Sequence, residues 1–151
     1  MSKKKITLTI VFTFIILVFI GLILYFFYKP MPIIDNPENC EIVKLAYNSS
    51  YEKGNSEFTE LSEFNEQDIL TCLSNYKEKK TFAICKGYSL NNYQFEIYID
   101  TGNDLKSIHL GHDSFSSLSY GSHKYQIVND EDLKNDLLKI IEEGQIYEKN
   151  N

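Results

Sequence analysis

Tyr93-Gln94-Phe95-Glu96-Ile97-Tyr98-Ile99-Asp100, followed by Thr101-Gly102-Asn103-Asp104, is the stretch that decides the fold. Tyr93, Phe95, Ile97 and Ile99 alternate with Gln94, Glu96, Tyr98 and Asp100, which is the two-residue period of a strand with one buried face. Asp100 to Asp104 has the composition of a hairpin loop. Downstream, Leu105 to Leu110, Phe115 to Tyr120 and Lys124 to Val128 read as further short strands, joined by turns containing Gly111 and Gly121. Upstream, Phe82 to Tyr88 is strand-like and Leu90-Asn91-Asn92 is a turn candidate. Strands joined by connections this short must pair antiparallel, because parallel pairing needs long crossovers.

Two helices flank this meander. Asn65 is a good N-cap; Glu66 and Asp68 suit the positive helix end, and Phe64 with Ile69 forms a hydrophobic staple. Ile69, Leu73 and Tyr76 share a face, and Lys77, Lys79 and Lys80 suit the negative end. The second helix runs from Asp130 to Glu143, with Asn129 as cap, Val128 and Leu133 as staple, and Gly144 as stop. Glu41 to Tyr47 and Phe58 to Glu63 complete the strands, separated by a polar loop with Gly54. The expected class is α+β: an antiparallel β-meander with two amphipathic helices packed on the sheet.

The N-terminal part obeys a different rule. Ile6 to Tyr28 is 23 residues long and uncharged; only Thr7, Thr9, Thr13 and Gly21 are not hydrophobic. As a helix it reaches about 34 Å, enough to cross a hydrocarbon core of about 30 Å. Lys3, Lys4 and Lys5 precede it and only Lys29 follows closely, so the positive-inside rule places the N-terminus in the cytoplasm and the larger part outside. Tyr25, Phe26, Phe27 and Tyr28 fit an aromatic belt at the outer interface. A cleaved signal peptide would have a shorter apolar core and a small-residue cleavage site, and neither is present. The expected organisation is a cytoplasmic N-terminus (1–5), a transmembrane anchor (6–28), a stiff proline-containing stalk (29–39), an extracytoplasmic domain (40–144) and a polar tail (145–151). No second apolar run is long enough to span, which excludes a polytopic channel or transporter.

Residues 30–151 hold 11 Lys and 21 Asp+Glu, a net charge of −10. Such a surface disfavours nucleic acid and favours a basic partner, a cationic peptide or a basic envelope protein. The membrane-side partner is the lipid bilayer, through residues 6–28. All 15 basic residues are Lys and Asn appears 13 times, the usage of an AT-rich genome. Cys40, Cys72 and Cys85 are an odd set without a Cys-x-x-Cys, so neither a zinc ribbon nor a redox motif is supported. Cys72 reads as a small core hydrophobe, the alternative being a Cys72–Cys85 disulfide.

Two candidate sites emerge. The residues from 29 onward contain nine Tyr against five Phe. Tyr98 falls on the face opposite Phe95 and Ile97; with Tyr88, Tyr120 and Tyr125 it would make an aromatic binding patch on the solvent side of the meander. The other site is His109-Leu110-Gly111-His112-Asp113, where imidazole and carboxylate together would bind a metal or move a proton, with His123 as a third ligand. Spacing argues against it, since a regular strand puts His109 and His112 on opposite faces unless Gly111 bends the chain. Ser114, Ser116, Ser117, Ser119 and Ser122 lack a Gly-x-Ser-x-Gly elbow and read as exposed strand serines. No phosphate-cradling loop, and so no cofactor, is indicated.

Asp68-Ile-Leu near the helix start, Lys79-Lys80-Thr81 after it and the strand Tyr93 to Asp100 carry a pattern-level resemblance. Over about residues 41–143 the chain resembles small uncharacterised membrane-tethered or lipoprotein-type outer domains of low-GC Gram-positive bacteria. That resemblance implies location and shape and supplies no catalytic residues. The expected function is a membrane-anchored binding module for envelope sensing, sequestration or immunity-type protection. The alternatives are a tethered hydrolase or metal-dependent enzyme using His109, His112 and Asp113, and an accessory subunit of a larger membrane protein.

Overall fold

The strand read first in the sequence sits between two partners in a wide antiparallel sheet. The computed structural model describes residues 3–51, 57–62, 64–84, 93–118 and 122–149. An N-terminal helix, α1 (Lys3–Tyr28), is followed by β1 (Met31–Pro32), a 3-10 turn (Pro37–Asn39), β2 (Glu41–Tyr47) and β3 (Thr59–Glu60). Then come α2 (Glu66–Asn75), β4 (Lys77–Ile84), β5 (Tyr93–Asp100), β6 (Leu105–Gly111), β7 (Phe115–Ser117), β8 (His123–Val128) and α3 (Asp130–Lys149). The sheet order is β1-β4-β8-β7-β6-β5-β2-β3, and every neighbouring pair is antiparallel. Strands β5 to β8 form the expected meander. Between β3 and β4 the chain moves from one edge of the sheet to the opposite side, and α2 is the element that carries it.

The β5–β6 hairpin forms as its composition predicts. Thr101 N donates to Asp104 O, Asp100 Oδ1 accepts from Gly102 N, and Gly102 takes φ +81°, a conformation that favours glycine. Phe95, Ile97 and Ile99 face one side together with Ile108 and Leu110 of β6 and Leu45 of β2. Ile69, Leu70 and Leu73 of α2 and Leu133, Leu137 and Ile141 of α3 complete that core. The α+β class and the helices on the sheet are therefore as expected. Asn65 caps α2 by accepting from Asp68 N at 3.3 Å. Glu66 adds a tie the pattern did not reveal: its Oε1 accepts from Ile42 N at 2.5 Å, beside the register shift that leaves Val43 exposed.

Several boundaries differ from the sequence reading. Lys77, Lys79 and Lys80 are not a helix tail. Tyr76 is already extended, and β4 starts at Lys77 because β1 and β8 offer ladder partners on both sides. β3 has only two residues, and β7 is three residues long. Asn129 has φ +57°, so it is the turn from β8 into α3 rather than an extended N-cap, although its carbonyl accepts from Leu133 N. Gly144 does not stop α3, which continues to Lys149; a glycine inside an exposed helix costs only about 1 kcal/mol.

The proline-rich segment differs most. Residues 29–39 are no free stalk: Met31 and Pro32 pair with Glu78 and Lys77, Ile33 N donates to Tyr76 O, and Ile33 and Ile34 are buried in the main core. Two adjacent isoleucines overrule the prolines, because burying each is worth about 1.5–3 kcal/mol. Helix α1 enters this segment directly. Its stretch Ile10–Tyr28 is long and apolar enough to cross a membrane, and none of it is buried by the rest of the chain.

Ile34→Ala is expected to destabilise the folded domain by about 2–5 kcal/mol, the usual range for a truncated core isoleucine. Chemical denaturation of the full chain in detergent reads this directly. A change under about 0.5 kcal/mol would mean that residues 29–39 are a mere connector after all.

Candidate functional site

Cross-strand register assigns each candidate to a face. Tyr98 opposes Ser107, and Ser107 opposes Ser117; Tyr125 opposes Ser116 and Lys80. Side chains directly opposite each other share a face, and neighbours along a strand do not. Tyr98 and Tyr125 therefore lie on opposite faces, and they do not make one patch. Tyr88 and Tyr120 lie outside the described residues. Tyr98 is half-buried: its hydroxyl donates to Glu96 Oε1 at 3.1 Å, while Lys44 bridges to Glu96 Oε2 at 2.9 Å and hangs 5.7 Å from the Tyr98 ring.

The face that carries Tyr98 is not the open solvent surface expected. His109 is fully buried there, stacked on Phe115 at 4.9 Å and 5.1 Å from the Tyr93 ring. Tyr93 joins this face through the register shift between Tyr93 and Phe95. Burial pushes the His109 pKa down to about 4; Glu96 opposes the shift and Lys124 and Lys44 add to it. The imidazole is thus neutral at pH 7 and acts as an aromatic ring in a second small core. His112 and Asp113 are exposed on the turn after β6, and His123 meets Phe27 edge-on at 6.1 Å. Gly111 remains in the strand and does not gather them. Among the described residues, no group of three or more His, Cys, Asp and Glu is arranged to hold a metal.

The described serines are also not exposed, and Ser119 lies outside the described residues. Ser114, Ser116 and Ser117 are buried because β7 lies in the middle of the sheet. Ser114 Oγ bonds Gly111, Ser117 pairs with Ser107, and Ser116 donates to Glu78 in a very short hydrogen bond. Cys72 is a free thiol partly packed on the core, and burial raises its pKa to about 11, which suits a quiet small hydrophobe. Cys85 lies outside the described residues.

The most concentrated chemistry lies at a place the sequence reading missed. Lys106, on the same face as Ile108 and Leu110, is buried. Its Nζ donates to Glu78 Oε1 at 2.7 Å and to the Ile33 carbonyl at 2.5 Å. Burial pushes the Glu78 carboxyl up, while Lys106 and Ser116 pull it down and Asp35 adds to the rise. Above this pair opens a cleft of about 360 Å³, walled by Pro32 to Asn36, Cys40, Thr101, Asn103 and Tyr125. The free Cys40 thiol donates to Asn36 O at 3.3 Å, and burial raises its pKa against the pull of Lys106. Tyr125 was chosen from the sequence for the other face; it belongs here, with its ring 5.9 Å from Lys106 Nζ. The signal that could have found this site is Lys106 itself, a charge at an inward position of an alternating strand.

A second opening lies between the C-terminal part of α1 and the sheet edge. Phe27 stacks on Phe82 at 5.0 Å, Tyr28 meets Phe82 edge-on at 5.5 Å, and Lys80 Nζ sits 4.9 Å from the Phe27 ring. Comparison of the chain with protein-family models, curated proteins and solved structures gave no match.

His109 gives a pH dependence with a definite sign. Its folded pKa, about 4, lies below the ordinary 6.5, so between those values the unfolded chain binds more protons. Stability is complete above pH 6.5 and falls as the pH drops toward 4, by up to about 1.4 kcal/mol per unit. Urea unfolding at pH 6.5 and 5.0 is expected to show a loss of roughly 1–2 kcal/mol in the native chain and a smaller loss in His109→Phe. Equal losses in both would contradict the buried neutral imidazole.

Proposed function

We propose that this chain is a single-span, membrane-anchored binding module whose domain lies outside the cytoplasmic membrane. In this reading the cleft above Lys106 takes a cationic group from a peptide or basic envelope protein. The observation that carries it is the charge arrangement in the cleft. Glu78 already neutralises Lys106, which leaves the exposed Asp35 carboxylate as net negative charge at the mouth. Asn36, Asn39, Thr101, Asn103 and Tyr125 line the same cleft. Carboxylate, amide oxygens and an aromatic face are a suitable set for an ammonium or guanidinium. The net charge of −10 over residues 30–151 would draw such a partner in from a distance.

The lysines ahead of α1 and the domain behind it support an N-in orientation under the positive-inside rule. Protease shaving of intact cells carrying an epitope after Asn151 is expected to remove the tag without lysis. Protection until lysis would reverse the orientation.

Binding is tested with the full chain in lipid nanodiscs and a fluorescent Lys-rich decapeptide, against a Glu-rich peptide of equal length. The Lys-rich peptide should bind measurably more tightly. Asp35→Asn should weaken it by roughly fivefold, in line with about 1 kcal/mol for an exposed charge pair. Equal binding of both peptides, or an unaltered affinity in Asp35→Asn, would sink the cleft as a cation site.

A further inference from the structure

The opening between α1 and the sheet edge has a volume of about 910 Å³. One wall is Phe19, Leu22, Ile23 and Phe26 of α1; the other is Met31, Pro32 and Tyr125, and Lys29 and Lys80 also line it. Among the described residues, no carboxylate lines it. That is notable in a chain with 21 acids, and it has a cause in the sequence. Of the lysines on α1, β4 and β8, Lys80 shares the face of Tyr125 and Lys29 follows α1 directly, and these two are the charged residues in the lining, so the groove is locally basic although the domain is acidic. The antiparallel pairing of β1 with β4 runs α1 back past Phe82, so the N-terminal direction of α1 points beyond the Ile84 end of the sheet. Phe82 is 67% exposed and Ile84 48% exposed at that end.

We infer that this groove binds one phospholipid with an anionic headgroup. Its phosphate lies between Lys29 and Lys80, and one acyl chain runs down the Phe19–Leu22–Ile23–Phe26 stripe. The inference rests on the proposed membrane span. Given the span, the stripe from Phe26 back to Phe19 covers about 10 Å of helix and lies within the outer half of the hydrocarbon core. The two ammonium groups then stand at headgroup height, where a lysine gains about 1 kcal/mol beside an anionic surface. Stacking of Phe27 on Phe82 holds the end of α1 against β4, so the groove is built before the lipid arrives. Phe82 and Ile84 add apolar contact with the interface beside it. The committed occupant is the lipid; a second copy of the chain on the same apolar stripe is the competing outcome.

The test is native mass spectrometry of the full chain, released from vesicles of equal phosphatidylglycerol and phosphatidylcholine after carbonate washing. The expected result is a monomer carrying one lipid, with phosphatidylglycerol favoured about fivefold or more, as about 1 kcal/mol implies. In Lys29→Gln/Lys80→Gln the preference should fall to near parity, while Lys79→Gln, on the other side of β4, should keep it. Lys29→Gln alone, outside the sheet, should halve the preference or more, so the test survives if the double variant misfolds. Retention in the vesicles with no headgroup preference, a preference that survives loss of both lysines, or a lipid-free dimer would each overturn the lipid site and leave the span standing. Loss of the chain in the carbonate wash would overturn the span and the lipid site together.

Discussion

The Lys106 ammonium is the group on which the α1 end of the domain depends. It lies on the apolar face of the sheet, where an isolated charge would be expensive, and three pieces of chain meet around it. Glu78 of β4 supplies the opposite charge, Ile33 a carbonyl, and Ser116 of β7 holds the far oxygen of Glu78. A buried pair of this kind adds little net stability compared with apolar side chains of the same volume, yet removal of one partner is costly. Its effect is geometric. The apolar contacts of Ile33 and Ile34 tolerate small slides along the sheet; three directed hydrogen-bonded contacts do not. The edge strand β1 has only two residues and little pairing of its own, so its register against β4 rests on this cluster.

The fold was legible where one rule acted alone. Tyr93–Asp100 announced itself by strict alternation, the hairpin by Asp-Thr-Gly-Asn-Asp, and the start of α2 by Asn65 and Asp68. The misreadings share a cause: a local signal was outweighed by a partner distant in sequence. Lys77, Lys79 and Lys80 suit a helix end locally, but β8 lies almost fifty residues away and offers them a ladder. Pro30, Pro32 and Pro37 suggest an extended connector; Met31–Pro32 is indeed a strand, whereas Pro37 opens a 3-10 turn. What the prolines could not reveal is that Ile33 and Ile34 would find an open corner of the core between β4 and α2. Gly144 marks a helix stop only if the chain turns after it, and α3 simply continues.

The candidate site was harder to read, because parity along a strand is local and parity across a sheet is not. Tyr98 was correctly set on the face away from Phe95 and Ile97. Tyr125 could be grouped with it only by assuming how β8 registers with β7, and the pairing of Tyr125 with Ser116 puts it on the opposite face. The histidine motif failed for a related reason. His109 points into a ring cluster with Tyr93 and Phe115, whereas His112 and Asp113 are exposed on the turn after β6. Lys106 was available as a signal, because its position two residues before Ile108 places a charge on the apolar face. Such a charge needs a buried acceptor, and Glu78 stood in plain sight among three lysines.

The two openings are not independent features of the surface. Met31, Pro32 and Tyr125 line both, so β1 and one side chain of β8 are the partition between the cleft and the α1 groove. The partition is thin and held on two sides by different forces: the polar cluster around Lys106 on one, and the Phe27–Phe82 stack and Lys80 on the other. A group bound on either side meets residues whose positions the other side helps to set. Coupling follows only to the extent that each occupant prefers one placement of β1, since a ligand shifts a conformation by no more than its differential affinity. The burial of Ile33 and Ile34 limits that freedom, which favours a domain held in fixed orientation to α1 over one that swings on a hinge. In the membrane-anchored reading, the cleft would then be presented at a constant height and angle above the bilayer, a geometry set by Ile33, Lys106 and Phe27 more than by the length of any linker.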